Sequence, residues 1–132
     1  MTHARLVQDW LEGWNTRSLD LIMSHYTDDA VFLSPSVLVR QPGSDGRVNG
    51  KAAIRELYRR AIDSFPNLRF EVEDLIERPS GVIVIYRKLG VFAERPGFTI
   101  EVFETSDGLI HHNTVYWGVE EVASRFVVRA QP

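Results

Sequence analysis

The 132-residue chain contains no cysteine. That excludes a disulfide framework, a thiol nucleophile and the cysteine-based zinc sets, and it leaves His3, His25, His111 and His112 as the only soft metal ligands. Also missing are an uninterrupted run of about 18 apolar residues and a charged-then-apolar segment at the start. Neither membrane insertion nor export is therefore expected, and the expected location is cytoplasmic. Charge of one sign is scarce as well, since 15 Lys and Arg against 18 Asp and Glu leave a formal net charge of -3. A balance like that offers no basic footprint for a phosphate backbone, so nucleic acid is not an expected partner. What is present is ordinary: 44% apolar and 25% charged residues suit a soluble globular chain, and the length suits a single domain over residues 1–132.

Helical spacing dominates the first half. Val7, Trp10, Leu11 and Trp14 recur three and four apart and predict a helix from Ala4 to Trp14. Ser18 can cap a second, short helix in which Leu19, Ile22, Met23 and Tyr26 share a face, ended by Asp28 and Asp29. Ala30 to Leu33 reads as a short strand. The stretch from Ser34 to Gly50 is rich in proline and glycine, with a small apolar island at Val37 to Val39, and is expected as a long loop that covers a site. A third helix follows from Ile54, Leu57, Tyr58, Ala61, Ile62 and Phe65, and Pro66 stops it. After it come strand-like runs at Arg69 to Glu77, Val82 to Val91, Phe98 to Thr105 and Leu109 to Trp117, separated by turn signals. A further edge strand is expected near Phe126 to Val128. Helices first and strands afterwards predict an α+β domain with helices covering one face of an antiparallel sheet. Arg87 and Lys88, adjacent on an otherwise apolar strand, must send one charge inward.

Three segments carry a resemblance. "EGWNTRSLDLIMSHYTDDAVFLSP", "GKAAIRELYRRAIDSFPNLRFEVED" and "EVFETSDGLI" resemble, in order, the nuclear-transport-factor-2-like superfamily, and within it the SnoaL-like, or polyketide-cyclase-like, branch. The resemblance implies a cone: a curved antiparallel sheet wrapped around three N-terminal helices, with a mostly apolar pocket at the wide end, often in a homodimer. The expected partner is a small apolar molecule and no cofactor is expected, nor a metal, since His111 and Asn113 fall short of the three or more ligands a metal site needs. Isomerases, cyclases and hydrolases share this fold with noncatalytic modules, so function must be read from the site. The working groups of the known chemistries do not carry over. The oxyanion tyrosine of ketosteroid isomerase falls on Trp10, its general-base aspartate on Ser34 beside Pro35, and the acid of SnoaL-like cyclases on Val115.

On the last strand the resemblance implies that His111, Asn113, Val115 and Trp117 face the pocket, with Ile110, His112, Thr114 and Tyr116 outside. The turn chooses the partner. A three-residue loop of Ser106, Asp107 and Gly108 sets Phe103 opposite His111 and Glu101 opposite Asn113; a two-residue Asp107-Gly108 turn sets Glu104 opposite His111 and Val102 opposite Asn113. The first is favoured, because it turns Phe103 inward and leaves Glu104 to solvent. His111 and Glu101 are then the expected proton carriers, since a carboxyl in an apolar hollow resists ionisation and an imidazole titrates near neutrality. The remaining expected pocket residues are Trp10, Trp14, Tyr26, Phe32, Ser34, Tyr58, Ile62 and Phe103. Among them the Tyr26 and Tyr58 phenols are available to a developing oxyanion. The competing reading is a noncatalytic ligand-binding or dimerisation module, in which His111 is a satisfied structural histidine.

Overall fold

In the computed structural model, which describes residues 3–91 and 98–116, the first apolar stripe becomes α1 (Ala4–Thr16) and buries Leu6, Val7, Trp10 and Trp14 on one face. Arg17 ends the helix in the left-handed conformation, at φ 63°, donating its backbone N–H to the carbonyls of Gly13 and Trp14. Ser18 caps α2 (Leu19–Met23) by accepting from the Leu21 N–H. The two helices approach closely because Gly13 has no side chain: a Cβ there would come within 2.7 Å of the Ile22 backbone nitrogen. Tyr26 does not continue α2 but opens β1 (Tyr26–Leu33), and Asp28 and Asp29, expected to end a helix and set a turn, lie exposed within that strand.

The segment expected as a long loop contains α3 (Pro35–Arg40) and β2 (Arg47–Asn49). The local chemistry accounts for the helix. Ser34 accepts from the Ser36 N–H, Pro35 occupies the first turn where its missing N–H costs nothing, and Val37 is buried. Six residues are too few to display a helical apolar period, which is why the pattern alone read as loop. α4 (Lys51–Ser64) buries Ile54, Tyr58 and Ile62. Its C-terminal end is met by the Arg17 guanidinium, which donates to the carbonyl of Ile62 in the last turn and, at 3.2 Å each, to those of Phe65 and Pro66 just beyond it.

β3 (Arg69–Arg78), β4 (Gly81–Leu89), β5 (Phe98–Ser106) and β6 (Leu109–Tyr116) complete an unclosed six-stranded sheet in the order β2-β1-β6-β5-β4-β3. Neighbours run antiparallel except β1 and β6, which are parallel, so the expected purely antiparallel sheet is corrected at that one pair. Register shifts at Val72/Asp74 in β3 and at Glu104/Thr105 in β5 mark the bulges that curve the sheet. Helices α1 and α4 pack against β3 and β1 respectively. Asn15 stitches α1 to β3, donating to the Phe70 carbonyl at 3.0 Å and accepting from its N–H at 2.8 Å. His3 holds the start of α1 against the sheet through Glu77 and, at 2.9 Å, Thr105. The inner face carries Val82, Val84 and Tyr86 from β4 and Thr99, Glu101 and Phe103 from β5, all buried. Trp117, the 95–97 turn and the expected strand near Phe126 to Val128 lie outside the described residues.

Candidate active site

The β5–β6 connection resolves the histidine question against both. Asp107 and Gly108, at φ 53° and 77°, form a two-residue turn closed by Ser106 opposite Leu109. Thr105 then pairs with Ile110 but Glu104 pairs with His112, so His111 is an extra residue bulged out of the ladder. Neither expected register holds: the turn is the shorter one, yet Phe103 lies opposite Asn113 and Glu101 opposite Val115. A bulge resets the in-out alternation. Ile110 before it and Asn113 and Val115 after it are buried, whereas His111 is exposed and His112 sits on the outer face with its Nδ1 3.3 Å from Glu104. The expectation that His111 enters the pocket is therefore corrected, and with it the pairing of His111 and Glu101 as proton carriers.

A cavity of about 140 Å³ opens between the helices and the inner sheet face. Of the expected lining, Trp14, Phe32, Ser34, Tyr58, Val115 and Glu101 border it. Trp10, Tyr26, Ile62, Phe103 and Asn113 are buried but do not reach it. Trp10 shows why: its indole is walled in by the rings of Phe70, Tyr86 and Phe103, each with its centroid 5.3 Å away, and so fills the core instead of facing a void. Much of the rest of the wall is aromatic and aliphatic, with Phe65, Leu68, Phe70 and Val91 among its residues. The segment expected to cover a site does contribute to it, since Ser34, Ser36, Val39 and Arg40 border the cavity from α3 and its cap.

The chemistry concentrates on one acid. Glu101 is 4% exposed, and its two oxygens accept from the Tyr86 hydroxyl at 2.7 Å and the Asn113 amide at 3.0 Å. Glu101 and Asn113 are diagonal neighbours across β5 and β6, close enough for this contact. Asn113 accepts in turn from Tyr26 at 2.7 Å and Tyr58 at 3.2 Å, and donates to the Val102 carbonyl at 3.3 Å. Burial pushes the Glu101 carboxyl above its ordinary range, opposed by the Tyr86 hydrogen bond, the Lys88 charge and the Asn113 hydrogen bond. The phenols of Tyr26, Tyr58 and Tyr86 are raised by burial first and by the Glu101 charge among the further causes, which keeps them protonated as donors at neutral pH.

Sequence alternation had already required one of Arg87 and Lys88 to point inward. Arg87 points out, pairing with Glu73 at 3.0 Å and stacking on Phe98 at 4.4 Å, while Lys88 borders the cavity. Burial lowers the Lys88 ammonium, opposed by the Glu101 charge and reinforced by Arg40. Lys88 and Glu101 share the cavity without forming an ion pair within 4.0 Å. Tyr86, Lys88 and Arg40 were not among the expected site residues. Arg40 carried no signal, because its position depends on an unexpected helix. Tyr86 could have been found from the period of β4, two residues before the inward Lys88.

The sequence model of the SnoaL-like domain family matches residues 7–113. No curated protein matches the chain. Among solved structures, a SnoaL-like protein of unknown function from Burkholderia thailandensis is 26% identical, over 87% of this chain and 93% of that one, with a TM-score of 0.77. An NTF-2 like protein of unknown function from Burkholderia xenovorans is 20% identical over 87% and 81% of the two chains, with a TM-score of 0.70. TerC, co-crystallised with polyporic acid, is 16% identical over 98% and 99%, with a TM-score of 0.75.

Proposed function

The chain belongs to the SnoaL-like domain family, within the NTF2-like superfamily, and from that starting point we propose that it is a cofactor-independent isomerase, cyclase or hydrolase. Its substrate is a small, mostly apolar, oxygen-bearing molecule, and Glu101 carries the proton. One observation supports this above the rest: Glu101 is the only carboxyl among the described residues bordering a mostly apolar cavity, and burial raises its pKa, as suits a general acid or base. The Tyr86 and Asn113 donors hold its oxygens at fixed points, so the group is oriented before substrate enters. Tyr58, which also borders the cavity, donates a hydrogen bond to Asn113 at 3.2 Å and serves oxygen charge that develops during proton transfer by exchanging that hydrogen bond. TerC, a chain of the same fold, was co-crystallised with polyporic acid.

The test is a thermal-shift screen of oxygen-bearing apolar compounds, followed by product analysis of the hits with wild type and with Glu101→Gln. Loss of turnover by about 100-fold or more is expected in the variant, the usual contribution of a positioned proton carrier. Turnover by Glu101→Gln at the wild-type rate overturns the reading. A noncatalytic binding module is the second reading, favoured by Trp10, Ser34 and Val115 standing where related enzymes keep working groups. It predicts hits in the screen and no product with any of them.

We further propose a homodimer through the outer sheet face. There Ile76, Ile83 and Val102 form one cross-strand row and Ile85, Ile100 and Tyr116 the next, with Ile76 44% and Tyr116 53% exposed. Sedimentation at micromolar concentration giving only monomer contradicts the dimer.

A further inference from the structure

We infer that the cavity is built for a monocyclic acid: a single flat ring carrying an anionic oxygen group, the ring lying against the wall that Trp14, Phe65 and Phe70 form and the anion meeting Lys88 and Arg40. The inference rests on the proposed function only for the position of the ligand, and it names the ligand's chemistry.

The first observation is a cation without a hydrogen-bond or ion-pair partner among the described residues. Lys88 is drawn half-buried into the cavity wall, and among the described residues it makes no hydrogen bond and no ion pair. Its ammonium has the Phe70 ring at 5.7 Å and the Glu101 charge at longer range. A desolvated ammonium with so little compensation is costly, and a bound anion is what would relieve it.

The second observation is that Arg40 borders the same cavity and adds a like charge near Lys88. Two cations converging on an apolar hollow repel each other when it is empty and act together when an anion lies between them. Opposite them stands one acid, Glu101, whose oxygens are already engaged by Tyr86 and Asn113. It therefore leaves the two cations available and places a proton-carrying group beside a ligand they hold.

The third observation is size. A cavity of about 140 Å³ compares with the roughly 150 Å³ hollow that accepts benzene in an engineered protein core. A volume of that order accommodates one six-membered ring. The aromatic walls favour a flat ring over a puckered one, through offset and edge-on ring contacts.

Calorimetric titration with benzoate and with its neutral shape-match benzamide tests this directly. Wild type is expected to bind benzoate at least about tenfold more tightly, the worth of one charge-assisted hydrogen bond. Lys88→Met should erase most of that preference without lowering the melting temperature, because it removes a desolvated charge. Arg40→Gln, at an exposed position, should reduce the preference in part. Glu101→Gln should keep or strengthen benzoate binding, since it removes a carboxyl from the anion's neighbourhood. Benzamide matching benzoate, no benzoate binding at all, or Lys88→Met retaining the full preference overturns the assignment. The two proposals fail separately: an absent anion preference alongside loss of turnover in Glu101→Gln sinks only this one, and a present preference alongside undiminished turnover sinks only the proton-transfer reading.

Discussion

Exchanging Glu101 for glutamine turns the ionisation of one buried carboxyl into a stability measurement. The carboxyl is 4% exposed, and burial raises its pKa against the combined opposition of Tyr86, Lys88 and Asn113. The folded chain thus holds this proton more tightly than the unfolded chain, whose glutamates titrate near ~4.3. Below ~4.3 both states carry the proton and the group contributes nothing to pH dependence. As the pH rises through ~4.3 the unfolded state ionises first, so stability falls, with a slope from this group approaching about 1.36 kcal/mol per pH unit. The fall ends once the pH passes the raised folded value, and above it the penalty is constant. Glu101→Gln has no such proton. Tyr86 and Asn113 donate to different Glu101 oxygens, so the glutamine oxygen replaces one acceptor and its NH2 group faces the other donor, a cost that does not vary with pH. The wild-type minus variant difference therefore isolates the carboxyl, because groups such as the lowered Asp9 carboxyl cancel. Lys88, whose ammonium burial lowers, acts with the opposite sign, since stability rises as pH climbs from its folded toward its unfolded pKa. Urea unfolding followed by tryptophan fluorescence at half-unit steps between about pH 4 and about pH 8 reads the difference, with equal m-values as the check on two-state behaviour. A difference that is flat, or that grows in favour of wild type as pH rises, refutes the claim that burial governs this carboxyl.

Three further outcomes are expected. Asn113→Leu strands one phenol proton of the Tyr26–Tyr58 pair and one Glu101 oxygen in a fully buried position, at about 1–3 kcal/mol for each stranded group; a denaturation midpoint close to wild type would mean that the network is not holding the core. Gly81→Ala places a Cβ 1.9 Å from the Phe103 carbonyl oxygen and should cost about 1–3 kcal/mol as the β4–β5 pair is pushed apart; an unchanged melting temperature counts against the close approach. His111→Ala should alter stability by no more than about 0.5 kcal/mol, as expected for an exposed side chain, and a loss several times larger in the same melt would place the ring inside.

Much of the fold was legible because its signals are local. The stripes on α1 and α4 appear in the spacing of Trp10, Trp14, Ile54, Tyr58 and Ile62, and Ser18 announces its own cap. Alternation on β4 told that one of Arg87 and Lys88 must turn inward, and the hydrophobic pattern favoured an inward Phe103 and Glu101, though through a three-residue loop that does not form. The family resemblance placed Asn113 and Val115 inside and agrees with the family match over residues 7–113.

Other features belong to the assembled molecule. Whether a histidine enters the cavity depended on a bulge, and a bulge is a property of two strands together: β5 and β6 must satisfy a two-residue turn and still pair Phe103 with Asn113, and the surplus residue His111 is expelled. The helix at Pro35–Arg40 is stabilised by burying Val37 in the core, a partner far away in the chain, so its Arg40 could not be assigned to the cavity beforehand. Which aromatics line the hollow and which merely fill the interior was settled by packing, since Trp10 and Trp14 share one stripe of one helix and only Trp14 is left facing open space. Sequence by itself determined the elements and the direction most side chains point, because those follow from periods of two and three to four residues along the chain. Tertiary structure alone decided which of them meet across an empty space, because that depends on what every other element leaves unfilled.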